Sequence, residues 1–588
     1  MASDQVSFKR LIDIGIALSS EKDSDRLMET ILFEAKEMGQ ADGGTLYIRT
    51  DDDKLEFVIL KTDSLGISQG GTTGTEITLP PVSMFDENGR PNLNAIVSYA
   101  ANTGEAINVE DAYTAEDFDF SGTKKFDEAM GYRSKSFLTV PLKSNTGRVI
   151  GVLQLLNSID RQSGEIVPFS RETQPLIEAL ASQAAVSLEN QNLLDSQKKL
   201  LDSFIELMAG AVDAKSPYTG GHCQRVPELT EMLTEAACKV KEGTFREFDL
   251  DEEEWYELHI GAWLHDCGKV TTPEYVVDKA TKLETITDRI HEIRTRFELM
   301  KSQATVRYQQ KIIDGAKEKE TLKLNLDAEL KQLDEDFEFI AECNLGGEFM
   351  AEDRIERVSR IANLEWTMTL DDQIGISFEE AKRKAKLSKQ VLPRQEKLLA
   401  DRPDHIIEHD AVVQSTDPSN RYGFKMDMPE HKYNLGEVYN LCIGRGTLTE
   451  EERFKINDHI VQTIVMLENL PFPRHLARVP EIAGGHHEKM DGTGYPKRLT
   501  KDEMSIPARI MAIADVFEAL TAADRPYKKP KTLSESIRIM GFMVKDQHLD
   551  EELFHLFLTS GVYQDYAEKY LESDQIDEVD IQKYLSAS

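Results

Sequence analysis

The stretch GGHHEKMDGTGYPKRL, residues 484–499, decides how this chain is read. Adjacent histidines, His486 and His487, stand beside a glycine-rich run. Four other stretches carry residues of matching chemistry. They are SPYTGGHCQRV (216–226) with His222, WLHDCGKV (263–270) with His265, Asp266 and Lys269, NDHIVQT (457–463) with His459, and IMAIADVFEALTAADRPYKK (510–529) with Asp515. Neutral imidazole and carboxylate suit divalent iron, manganese or zinc, whereas thiolate-rich sets suit zinc. Adjacent His265 and Asp266 offer two neighbouring ligands, and a carboxylate can bridge two ions. Asp515 sits in an apolar helical pattern, where an unpaired buried carboxylate is costly and a metal partner removes the cost. Five histidines and two aspartates suffice for two ions, which two-metal hydrolases hold about 3.5–4 Å apart. The remaining histidines, such as His405, His409, His431, His548 and His555, read as ordinary polar residues.

Working outward, 588 residues exceed what one core supports, so several domains are expected. The net charge of −36 disfavours DNA, RNA and anionic membrane surfaces. An anionic substrate must then be attracted locally, by metal ions or a basic pocket. Arg525, Lys528 and Lys529 form one such basic spot, with Lys529 read as solvated charge. Five scattered cysteines argue against a disulfide framework and suit a reducing cytoplasm. No apolar run reaches transmembrane length, and the N-terminus lacks a signal-peptide layout. A cytoplasmic protein with no membrane partner is expected.

Residues 8–190 read as one α/β unit. A helical pattern runs from Phe8 to Met38, and strand-like segments follow at 43–50, 54–60, 105–111, 136–144 and 148–158. A helix over 172–212 carries Leu176, Leu180, Ala184 and Leu188 on one stripe, then Leu200, Phe204 and Leu207. Such a connector favours a homodimer. Beyond it the chain is helical. Ile286, Ile290, Ile293, Phe297, Met300 and Ala304 step by fours and threes, as do Leu326, Leu330, Leu333, Phe337 and Ile340. Asp314-Gly315 between them predicts an antiparallel coiled-coil arm or one interrupted helix. A basic helix is expected near 378–400 and a frayed acidic tail after Ser573.

HDCGK, HHEKMDGTGYP and ADVFEALTAADRPYKK together resemble the HD-GYP branch of the HD phosphohydrolase superfamily. The resemblance covers about 200–283 and 440–560, interrupted by 285–440. It implies an all-α bundle over 200–570, with a helical insertion at 285–440, that hydrolyses cyclic di-GMP to the linear dinucleotide or to GMP. It implies seven metal ligands: His222, His265, Asp266, His459, His486, His487 and Asp515. The cofactor would be two divalent ions, iron or manganese first, with zinc, magnesium or nickel as other candidates. Asp266 and Lys269 would be catalytic, Lys269 meeting a phosphate oxygen or the leaving group. Tyr495, Arg525 and Lys528 would hold the dinucleotide alongside Lys269. Two positions depart from the family: Ser216 stands where Asp is common, and Tyr218 where trinuclear members carry Glu. Residues 101–113, 125–142 and 149–158 resemble a GAF domain, whose ligand the sequence does not specify. Two other readings stay open, a phosphohydrolase of another cyclic dinucleotide or nucleotide and a non-catalytic cyclic di-GMP-binding scaffold.

Overall fold

The apolar runs at 136–144 and 148–158 pair with each other in the middle of a sheet buried on both faces. The computed structural model describes residues 2–215, 221–347, 349–387, 391–409, 421–523 and 530–585. Its contacts divide the chain into two units, Met1–Leu201 and Asp202–Ser588.

The first unit is an eight-stranded antiparallel sheet. Its strands are β1 (Ala41–Arg49), β2 (Lys54–Thr62), β3 (Ile67–Gly70), β4 (Val82–Ser83), β5 (Ile107–Val109), β6 (Phe137–Lys143), β7 (Val149–Ile159) and β8 (Ile166–Val167). The main path runs β3-β2-β1-β7-β6-β5, with β4 on β2 and β8 on β7. Side chains alternate between faces along each strand. Leu46, Leu138, Val140, Leu153 and Leu155 pack under helices Ala2–Ser20, Ser24–Gly39 and the start of Gln174–Lys215. Tyr47, Phe137 and Val152 face the other way, against helix Ile96–Thr103. Cover on both sides removes the need for polar alternation, hence the near-continuous apolar sequence of β6 and β7.

Local details differ from the sequence reading. The pattern from Phe8 to Met38 is two helices, because Asp23 caps the second through its side chain, accepting from the Arg26 N–H. The helices Ile96–Thr103 and Ser121–Met130 and the short strands β3, β4 and β8 are not among the elements read from the sequence. A single 42-residue helix, Gln174–Lys215, runs from the first unit into the second.

The second unit is largely helical, and its bundle packs around an apolar core. Val226, Leu229 and Leu233 of helix His222–Cys238 meet Ile510, Ile513 and Phe517 of helix Ile506–Thr521. Helices Leu533–Lys545, Glu551–Thr559 and Val562–Tyr570 complete it. The chain leaves this bundle near Lys282 and returns near Leu441. The Lys282 ammonium ties the two crossings, donating to the carbonyls of Leu441 at 2.9 Å and Ile443 at 2.8 Å. Lys279, just before it, pairs at 2.8 Å with buried Glu452 at the start of helix Glu450–Glu468.

Between the crossings, helices Ile290–Ile313 and Lys319–Asn344 form an antiparallel hairpin, bridged by Lys301–Asp334 and Arg307–Glu329, both at 2.6 Å. Its base is no free arm. Ile293, Phe297, Leu333 and Ile340 pack with Val358, Ile361, Leu398 and Leu441 into a core of their own. Ile286, at the head of the predicted stepping, lies outside the helix and is 88% exposed. The helix expected at 378–400 stops at Lys384, and Arg394–Lys397 is instead a strand paired with Glu365–Met368. Pro393, with no N–H and a bias on its predecessor away from the helical region, bars a helix from running through residue 393, but it lies too far along to set the end at Lys384. The tail is not frayed through Leu585. Gln575 is buried, and the Tyr584 ring fills the space a side chain at Gly541 would need.

Candidate metal centre

Each sequence-selected ligand sits at an element end or on a helix turned toward one point. His222 opens helix His222–Cys238 behind Gly221, whose φ of 83° is open to glycine at little cost. His265 and Asp266 follow the end of helix Glu252–Trp263, where the chain enters the tight turn Cys267–Thr271. That turn lies against helix Glu450–Glu468, which carries His459. A side chain on Gly268 would sit 1.9 Å from the His459 carbonyl oxygen, so only glycine allows the approach. The Gly268 N–H then donates to Thr463 Oγ1 at 2.9 Å, and the same hydroxyl donates to the His265 carbonyl at 3.2 Å. His486 and His487 follow helix Val479–Gly484, and Asp515 lies inside helix Ile506–Thr521.

These side chains converge. Asp266 stands at the centre. Its Oδ2 lies 3.1 Å from His222 Nε2 and 3.3 Å from His265 Nε2, and its Oδ1 lies 3.2 Å from His459 Nε2. Asp515 Oδ1 is 3.3 Å from His222 Nε2, and His487 Nε2 is 3.2 Å from His459 Nε2. The His265 and His486 rings meet edge to face at 5.0 Å. Two groups could each hold an ion: His222, His265 and Asp266, and His459, His486 and His487.

The outer contacts aim the rings. His265, His459 and His486 each place Nδ1 against the carbonyl three residues back, on Ala262, Ile456 and Ala483, at 2.6, 2.6 and 2.7 Å. His222 Nδ1 meets the carboxylate of Glu518 at 2.5 Å. A carbonyl or carboxylate oxygen can only accept, so Nδ1 carries a proton in each ring and Nε2 is the nitrogen left to face the centre. This is the usual support of a metal-binding histidine. Asp266 Oδ1 and His486 Nε2 are buried without a hydrogen-bond partner. Orphaned acceptors at a point ringed by imidazole and carboxylate fit a divalent cation.

Electrostatics match this crowding. Burial opposes ionisation of Asp266, but Lys269 and His265 outweigh it and hold its carboxyl well below the usual range. Burial likewise opposes Asp515, and its hydrogen bond to His222 with the neighbouring imidazoles holds it far down. Burial, then His265, pushes His486 down to about 4. Burial and His486 push His487 well below its ordinary value. Burial works against a charge on His222, yet Glu518 and the aspartates hold it well above its ordinary value. Lys269 donates to Asp266; burial lowers its pKa, but Asp266 and Asp515 together raise it.

Of the expected substrate contacts, Tyr495 stacks on His487 with ring centres 4.9 Å apart and planes 23° apart. Its turn is held by buried Glu488, which accepts from the N–H groups of Lys497 at 2.6 Å and Leu499 at 2.9 Å. Arg525 and Lys528 lie outside the described residues, as do Ser216 and Tyr218. Sequence reasoning missed Glu518, Arg225, Thr463 and Glu488. Glu518 had a usable signal, lying three residues after Asp515 on the same helix. Arg225 pairs with its other oxygen at 2.6 Å.

Comparison with known proteins yields two domain matches, a GAF domain over residues 23–188 and an HD domain over residues 393–553. Among curated relatives, a 3'3'-cGAMP-specific phosphodiesterase 1 of Vibrio cholerae is 40% identical over 150 residues, 24% of this chain and 33% of that protein. A cyclic di-GMP phosphodiesterase of Pseudomonas aeruginosa is 36% identical over 132 residues, 22% of this chain and 31% of its own length. Another from Thermotoga maritima is 42% identical over 106 residues, 18% and 28% of the two chains. The chain thus spans about a third of the length of these relatives.

Proposed function

We propose that this chain, which carries a GAF domain and an HD domain, is a cyclic-dinucleotide phosphodiesterase whose metal-dependent bundle is regulated by its GAF half. The observation that carries the reading is Asp266, whose two oxygens face two separate groups of ligand atoms. One ion would be held by His222, His265, Asp266 and Asp515, and the other by His459, His486, His487 and Asp266. Iron or manganese suits this nitrogen and oxygen donor set, with zinc, magnesium or nickel as substitutes. Divalent ions there would polarise a phosphodiester and make a water nucleophilic near neutral pH.

The chain's own residues do the rest. The backbone carbonyls and Glu518 fix the imidazoles in one orientation, so little reorganisation accompanies substrate binding. Lys269 sets an ammonium beside Asp266, where it stabilises charge growing on the phosphoryl or leaving oxygen. Tyr495 offers an aromatic face at the rim of the cluster. Arg525 and Lys528 would add phosphate contacts.

The proposed organisation is a GAF domain over 8–190, a signalling helix over 172–212, an HD-GYP domain over 200–570 and its insertion at 285–440. A homodimer through the GAF half and the helix is supported by Val186, Leu193, Leu200 and Leu207, seven residues apart and 43%, 57%, 71% and 68% exposed. A seven-residue apolar repeat facing water is a coiled-coil seam awaiting a second helix. The proposed compartment is the cytoplasm; among the described residues no helix is long and apolar enough to cross a membrane.

Cyclic di-GMP is the first substrate proposed. A second reading, 3'3'-cGAMP, is favoured by the names of three Vibrio cholerae relatives. Incubating iron- or manganese-loaded chain with both compounds and resolving the products tests the proposal. Linear dinucleotide or mononucleotide is expected from at least one. Binding without any product from either, in protein of full metal content, would leave a scaffold instead of an enzyme.

A further inference from the structure

Residues 421–429 fall in the stretch that interrupts the family resemblance, yet they lie against the turn that carries Tyr495. Three different interactions hold them there. Phe424 is buried with Val461 and Ile464 of the His459 helix, and Met426 packs beside it. The Lys425 N–H donates to the Pro496 carbonyl at 2.7 Å. Arg498 pairs with Asp427 at 2.6 Å. Between this segment, the face of the His459 helix and the turn lies a cavity of about 400 Å³, lined by Lys425, Met426, Arg453, Phe454, Tyr495 and Arg498 among others. That volume lies within the range of small-molecule sites, roughly 300–1,000 Å³. Tyr495 belongs to both places, because the ring that borders the cavity stacks on His487.

The cavity has the chemistry a dinucleotide needs next to its cleavage point. A cyclic dinucleotide carries two phosphodiesters and two purines. With one phosphodiester at the ligand cluster, the other nucleotide must rest on a neighbouring surface. Lys425 forms no ion pair among the described residues, and Arg453 gives one N–H to the Arg445 carbonyl at 3.4 Å. Neither cation forms an ion pair among the described residues of a chain of net charge −36, although Asp427, paired with Arg498, and Glu450 line the same cavity and Lys425 interacts electrostatically with Glu503. Phe454 offers a flat face for a base and Met426 an adaptable apolar one.

We propose that residues 421–429 form the outer wall of the substrate cleft, with Lys425 and Arg453 binding the phosphate remote from the metal ligands and Phe454 and Met426 holding its base. The inference rests on the phosphodiesterase reading. It gives the end of the insertion a role in selecting cyclic dinucleotides over shorter phosphodiesters.

The test uses metal-loaded full-length chain, with cyclic di-GMP and 3'3'-cGAMP as substrates and bis(p-nitrophenyl) phosphate as a short phosphodiester. Lys425→Glu and Arg453→Glu should each raise KM for the cyclic dinucleotide about tenfold, the loss of one charged phosphate contact. Metal content should match the unsubstituted chain, and Lys425→Arg should restore KM to within about twofold. Two variants guard against one failing to fold. KM unchanged in both, at full metal content, overturns the wall. Unsubstituted chain that cleaves bis(p-nitrophenyl) phosphate but neither cyclic dinucleotide overturns the functional reading instead, and the wall with it.

Discussion

Glu518 and His222 meet across 296 positions of sequence, carboxylate to Nδ1, at 2.5 Å. The contact sets the tautomer of His222 and turns its Nε2 toward Asp266 and Asp515. Glu518→Gln should keep a hydrogen-bond acceptor but lose the charge. Loss of such an outer partner lowers metal affinity about 10–100-fold. Titration with manganese should show the loss, with the far-ultraviolet circular dichroism unchanged. Equal affinity in the variant would remove Glu518 from the account.

Asp266→Asn should be more severe. The amide keeps the shape but cannot serve two cations as an anion. Elemental analysis should find fewer ions bound per chain, and turnover should fall by about a thousandfold or more, the scale of losing a principal catalytic group. Retention of both ions with normal turnover would end the central role of this carboxylate.

Thr463→Val tests how the ligand-bearing turn is held. The substitution keeps volume but strands the buried Gly268 N–H. An unsatisfied buried donor costs about 1–3 kcal/mol. The denaturation midpoint of the bundle should fall accordingly, and metal affinity should weaken because His265 is carried by the same turn.

The Lys279–Glu452 pair should behave asymmetrically. Lys279→Met leaves a buried carboxylate alone and should destabilise by about 3–5 kcal/mol. Replacing both, as Lys279→Met with Glu452→Leu, should recover much of that loss. Denaturant unfolding of the two variants side by side measures the difference. If the double variant is no better than the single, the pair's contribution is not the avoidance of an unpaired charge.

Leu193→Lys with Leu200→Lys should break the seven-residue seam on the connecting helix. Light scattering during gel filtration should then report a monomer where the unsubstituted chain gives a dimer. Both residues are more than half exposed, so folding of the chain itself should be unaffected. A variant that stays dimeric would move the interface elsewhere.

The sequence by itself determined which residues are candidate ligands and that a GAF domain precedes an HD domain. His265-Asp266, His486-His487 and the glycine-rich turn before Tyr495 are local patterns, and their residue types already imply a cation. The strand runs and the stepping through Ile293, Phe297, Leu333 and Ile340 were legible for the same reason, since periodicity is a short-range property of the chain. Periodicity failed where one residue overrides it, as Asp23 does by capping a second helix. Tertiary structure alone decided that Asp266 stands between the two ligand groups, that Glu518 supports His222, and that Lys425 arrives beside Tyr495. These relations depend on the angles at which helices pack and on where an insertion of some 150 residues returns to the bundle. Packing of that kind is settled by the burial of many distant side chains at once, and no local stretch of sequence encodes it.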